Sequence, residues 1–87
     1  MNLFKSQFDN CKFRYAVLLE NLDYGEGNTI HEALVNAAGI EMANYITGIC
    51  EDNNCMTNFR IDHTYNCETA LMLDSCNNTM ATIYRKL

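Results

Sequence analysis

Residues 23–47 read DYGEGNTIHEALVNAAGIEMANYIT, and the fold turns on how they are read. DYGEGN (23–28) holds two glycines and several turn formers, so it predicts a turn that ends the element before it. Thr29 and Glu32 then match the T-x-x-E capping box, in which each side chain satisfies an orphan amide of the other residue. At about 100° per residue, Ile30, Leu34, Ala37, Ala38, Met42 and Tyr45 share one broad apolar face. Glu32, Asn36, Ala43 and Thr47 lie opposite. Ala37 and Ala38 are small enough to pack closely on a sheet. Gly39 falls on the polar side and costs up to about 1 kcal/mol relative to alanine. One helix over 29–47 is expected to bend there, continue, and stop at Gly48.

On the N-terminal side, KFRYAVLLENL (12–22) alternates. Phe13, Tyr15, Val17 and Leu19 point one way, Arg14, Ala16, Leu18 and Glu20 the other, which predicts a strand. On the C-terminal side, ICEDNNCM (49–56) reads as a loop. In TNFRIDHTY (57–65), Phe59, Ile61, His63 and Tyr65 alternate with Asn58, Arg60, Asp62 and Thr64, a second strand. TALMLDS (69–75) and TMATIYRK (79–86) are the third and fourth strands. CNN (76–78) is the hairpin between them, since asparagine tolerates positive φ. The expected order is β-α-β-β-β: a two-layer α+β fold, a mainly antiparallel sheet with one helix packed on one face.

The 87 residues, 48% of them hydrophobic, suit a single domain over 1–87. A chain of this size buries roughly 60–65% of its unfolded surface, and small cores often add a metal, a disulfide or a partner. Lys5, Asp9, Lys12 and Arg14 interrupt the leading residues, so no targeting signal is expected. No run approaches the ~18 apolar residues of a membrane span. The expectation is a soluble cytoplasmic protein with reduced thiols, and five cysteines argue against a closed disulfide framework.

Net charge is −5, unevenly spread. Residues 15–59 contain seven acids and no lysine or arginine; the bases are Lys5, Lys12, Arg14, Arg60, Arg85 and Lys86. Direct nucleic-acid binding, which needs clustered basic groups, is not expected. An acidic face suits a partner with a basic surface.

CEDNNCMTNFRIDHTYNC (50–67) carries C-x4-C and H-x3-C, spacings found in zinc sites. Cys50, Cys55, His63 and Cys67 are therefore the candidate ligands of a zinc-stabilised regulatory domain. The gap between the two pairs is shorter than the ~12 residues of a finger. A strand over 57–65 would also set His63 and Cys67 about 13 Å apart, at ~3.3 Å per residue. The favoured reading has no metal or cofactor, with the cysteines as loop or half-buried thiols and His63 as a sheet residue; a regulatory disulfide is the third reading. Cys11 and Cys76 are expected to be partly buried. His31, in the first helical turn where imidazolium is disfavoured, reads as a partly packed histidine rather than a ligand or base. Glu41 falls inside the apolar face, as a buried acid with a role or one that reaches the sheet margin or an interface.

Catalysis has little support; a small enzyme or thiol-redox protein, which would need a depressed pKa at Cys50 or Cys55, is the third hypothesis. Neither histidine has a nucleophile partner in sequence, Ser6 and Ser75 lie in no motif, and YGEGN lacks the phosphate-loop patterns. A non-enzymatic protein–protein interaction module is expected instead. Tyrosine is enriched at interfaces, and Tyr24 is the tyrosine expected to be exposed. Asp23, Tyr24, Glu26, Glu51 and Asp52 form the expected partner-binding surface. An odd thiol count and an exposed sheet edge also permit a homodimer.

A short chain with a strand, the turn DYGEGN, one Ala-rich helix HEALVNAAGIEMANYI and a closing β-meander resembles some small phage-encoded anti-CRISPR proteins. The resemblance is architectural, covers most of the chain and carries over no functional residue. It implies an inhibitor that occludes or locks a bacterial defence complex, a host protein or ribonucleoprotein, in the host cytoplasm. Twelve asparagines, whose codons are AT-rich, against one glutamine fit a low-GC genome or mobile element.

Overall fold

Among the described residues, seven elements follow one another: β1 (Tyr15–Leu19), β2 (Tyr24–Gly27), α1 (Ile30–Ala38), α2 (Ile40–Asn53), β3 (Arg60–Asp62), β4 (Cys67–Leu73) and β5 (Thr79–Lys86). The computed structural model describes residues 9, 10, 12–53, 55–64 and 66–87. The expectations for Ser6, Cys11, Tyr65 and a leading targeting segment lie outside those residues. The strands form one open sheet in the order β2-β1-β5-β4-β3, with every neighbouring pair antiparallel. The class is α+β, but from Tyr15 onward the described residues run β-β-α-α-β-β-β rather than β-α-β-β-β, and the one helix expected over 29–47 is two.

The first correction falls on DYGEGN. The chain reverses before it, at Leu22, whose φ is +72. Tyr24–Gly27 then pairs with β1 in the register Tyr15↔Gly27 to Leu18↔Tyr24. Tyr-Gly-Glu-Gly is a period-two strand whose helix-facing positions lack side chains. A Cβ at Gly25 would lie 2.3 Å from both the Ala33 oxygen and the Ala37 nitrogen, and one at Gly27 2.7 Å from the Ala33 nitrogen. These glycines let the α1 backbone lie directly on the strand.

The second correction falls on Gly39, with φ 90 and ψ 162, a backbone region that only glycine populates readily. Its N–H closes α1 on the Val35 carbonyl at 2.8 Å, and its carbonyl opens α2 by accepting from the Ala43 N–H at 3.0 Å. The axis changes at a single residue, so the helical phase restarts. Ala43, expected on the polar side, is buried together with Ile46 and Cys50. Met42 and Tyr45, expected in the core, are 46% and 63% exposed. Nor does α2 stop at Gly48; it runs to Asn53, so most of the expected 49–56 loop is helix. Thr29 does cap α1, its hydroxyl accepting from the Glu32 N–H at 3.0 Å.

Between the helices and the sheet lie Val17, Leu19, Leu34, Ala43, Ile46, Cys50, Met72, Ala81 and Ile83. The alternation expected in β1 holds, with Tyr15, Val17 and Leu19 on the helix side. The opposite sheet face is not bare. Ala16, Cys67 and Tyr84 form a second buried cluster there, with Leu18 and Tyr24 against it. That cluster is what the expected two-layer arrangement omits. The expected 57–65 strand shortens to Arg60–Asp62, and the expected 69–75 strand becomes Cys67–Leu73. Thr79–Lys86 stands as expected, and Asn77 in the preceding turn has φ +64. Cys76, expected to be partly buried, is exposed. Among the described residues, no helix is long and apolar enough to cross a membrane.

Candidate functional site

The residues expected to bind a partner fall into two groups. Tyr24 and Glu26 share the face of β2 turned away from the helices, and the Tyr24 hydroxyl donates to Glu26 Oε2. Tyr24 is thus half-buried against the second cluster rather than presented as an anchor. Asp23 is exposed and exchanges hydrogen bonds with Asn21, at 2.9 and 3.1 Å. Glu51 and Asp52 are exposed in the last turns of α2. That end of the helix lies toward β4, which is separated from β2 by β1 and β5. Three strand spacings put the two groups on the order of 14 Å apart.

Among the described residues, the tyrosine that the fold does present is Tyr45. Along α2, Met42, Tyr45 and Ile49 stand at i, i+3 and i+7, one stripe beside the core-facing line of Ala43, Ile46 and Cys50. Glu41 and Asp52 border that stripe on the solvent side. Glu41 is exposed, not inside the apolar face, and sits in the first turn of α2, where a carboxylate meets the positive end of the helix dipole. Met42 also lines a shallow groove of about 300 Å³ with Leu19, Glu20, Asp23, Ala38 and Met80. The groove connects the stripe to one of the expected acids, Asp23. Sequence reading missed this surface because an unbroken helix would have buried Met42 and Tyr45. The available signal was Gly39 itself.

The antiparallel pairing of β1 with β5 also assembles what the sequence keeps apart. Arg85 lies opposite Tyr15, and the Lys86 N–H bonds the Arg14 carbonyl at 2.9 Å. Arg14, Arg85 and Lys86 thus gather at one end of the sheet. Arg85 holds Glu68 through Nε at 3.2 Å and Nη2 at 3.1 Å, and its guanidinium lies 3.7 Å from the centroid of the Phe59 ring. Burial works to raise the Tyr15 phenol, but hydrogen bonds and charge from Arg85 and Arg14 outweigh it and hold the group below its ordinary value.

The candidate zinc ligands do not converge. Cys50 is buried under the helices and Cys67 on the opposite sheet face. His63 is exposed in the turn after β3. The expected 13 Å separation of His63 and Cys67 does not hold, because the chain reverses at once and Asp62 pairs with Cys67. The obstacle is instead the sheet between Cys50 and Cys67. Among the described residues, no three His, Cys, Asp or Glu side chains are grouped to hold a metal ion. His31 is exposed, and its Nε2 donates to Asn44 Oδ1 at 2.7 Å, joining the two helices. Comparison with known protein families, characterised proteins and solved structures found no match.

Proposed function

We propose that this chain is a non-enzymatic interaction protein, an anti-CRISPR-like inhibitor from a phage or mobile element that blocks a bacterial defence complex by occupying a basic surface. The observation that carries the reading is the outward stripe of α2. Met42 and Tyr45 are exposed side by side within a segment whose every charged residue is acidic. A large aromatic anchor flanked by carboxylates suits a positively charged partner, where aromatic contact supplies affinity and charge speeds encounter. The contact surface is the Met42–Tyr45 stripe with Glu41, Asp52 and the Asp23 groove, in place of one centred on Tyr24.

The test is inhibition of target-DNA cleavage by purified RNA-guided effector complexes, with and without the protein. Stoichiometric slowing that weakens as salt rises supports the reading. Unchanged cleavage by every effector tested, together with no complex by size-exclusion chromatography, sinks it.

A further inference from the structure

We propose that Cys50 and Cys55 form a dithiol site that disulfides of low-molecular-weight thiols, such as oxidised glutathione, convert to an intramolecular disulfide. Cys50 lies in the penultimate turn of α2, and Cys55 follows the helix end. The Cys55 N–H bonds the Cys50 carbonyl at 3.1 Å. This bond, spanning five residues, ties Cys55 back to the end of α2. With standard bond lengths, it keeps the two Cα atoms within about 7 Å, the range that disulfides span. Cys67 lies across the sheet, and Cys76 lies in the β4–β5 turn.

The two thiols differ in accessibility. Cys50 is 5% exposed, whereas Cys55 is half-exposed. Burial pushes the Cys50 thiol up, so it is the poorer first nucleophile. Cys55 loses its proton to solvent and attacks one sulfur of oxidised glutathione, forming a mixed disulfide and releasing one glutathione thiolate. Cys50 then loses its proton and attacks the Cys55 sulfur, expelling the second glutathione. In balance, two protein thiols are oxidised, one glutathione disulfide is reduced, and two glutathione thiols leave.

The bond would join two parts of the fold. The Cys55 carbonyl accepts from the Leu73 N–H at 3.0 Å, and Thr57 exchanges bonds with Leu71. Oxidation therefore ties the end of α2, with Glu51 and Asp52, to β4. Cys50 also lines a cavity of roughly 330 Å³ with Thr47, Met56 and Met72.

The sequence makes the test direct. With no lysine or arginine from 15 to 59, trypsin releases residues 15–60 as one peptide whose only cysteines are Cys50 and Cys55. The full-length protein is equilibrated in glutathione buffers from reducing to oxidising, quenched with an alkylating agent and digested. The expected oxidised peptide is two hydrogens lighter and unalkylated, with slowed amide exchange over residues 50–53. Cys50→Ser should trap glutathione on Cys55, and Cys55→Ser should never give the lighter peptide. A wild-type peptide that still carries glutathione at equilibrium, or stays doubly alkylated while exposed Cys76 is oxidised, overturns the proposal.

Discussion

Gly25 and Ala37 meet backbone to backbone: a Cβ on Gly25 would lie 2.3 Å from the Ala37 nitrogen. No rotamer change relieves that contact, because the opposing atoms are main chain. Gly25→Ala must push α1 off β2 and β1, at a cost of about 2–3 kcal/mol, the upper part of the usual overpacking range. The urea midpoint should fall accordingly. A midpoint like the wild type's would mean that α1 does not rest on this strand.

Gly39 and Gly48 make a matched pair. Neither has an atom within 4 Å of where a Cβ would stand, so space does not distinguish them. Gly39 sits at φ 90, and Gly39→Ala should cost about 1–3 kcal/mol in backbone strain. Gly48 is interior to α2, and Gly48→Ala should gain about 0.5–1 kcal/mol. Thermal unfolding of the two variants should move in opposite directions; a shift of the same sign in both would refute the break at Gly39.

The β4–β5 turn predicts a pH dependence. Asp74 Oδ1 accepts from the Asn78 and Cys76 N–H groups, each at 2.9 Å. These bonds, Asn78's foremost, hold the carboxyl below its ordinary value. The unfolded chain therefore binds the proton first as pH drops. The contribution is whole above the unfolded pKa of about 3.9 and is lost as pH falls through the lower folded value. Between about pH 5 and pH 3, the denaturation midpoint should fall more steeply for the wild type than for Asp74→Asn. Parallel slopes would rule out this role.

Tyr45 separates binding from folding. It is 63% exposed, so Tyr45→Ala should change stability by no more than about 0.5 kcal/mol. Against the proposed partner, the same change should cost about 2 kcal/mol or more in affinity, as truncated aromatic anchors do. Calorimetry on the variant reads both quantities. Undiminished affinity would move the interface elsewhere, with Tyr24→Phe the comparison for the edge of β2.

The sequence by itself determined the class, the N-cap of α1 at Thr29, the facing of β1, and β5 from end to end. Those features rest on neighbouring residues: alternation over eight positions, or a hydroxyl three residues from its amide. Tertiary structure decided the rest. Gly25 and Gly27 read as a turn because a missing side chain looks the same whether the chain bends or a helix backbone presses on it. Only the docking of α1 makes Tyr24–Gly27 a strand. Gly39 read as a bend because a free helix passes through glycine at modest cost. Packing α2 over β5 and β4 requires a new axis, which turns Tyr45 from core to surface. Strand order then gathers Arg14, Arg85 and Lys86 at one end of the sheet and sets Cys50 and Cys67 on opposite faces. Spacing along a chain cannot show on which face of a sheet a residue will end.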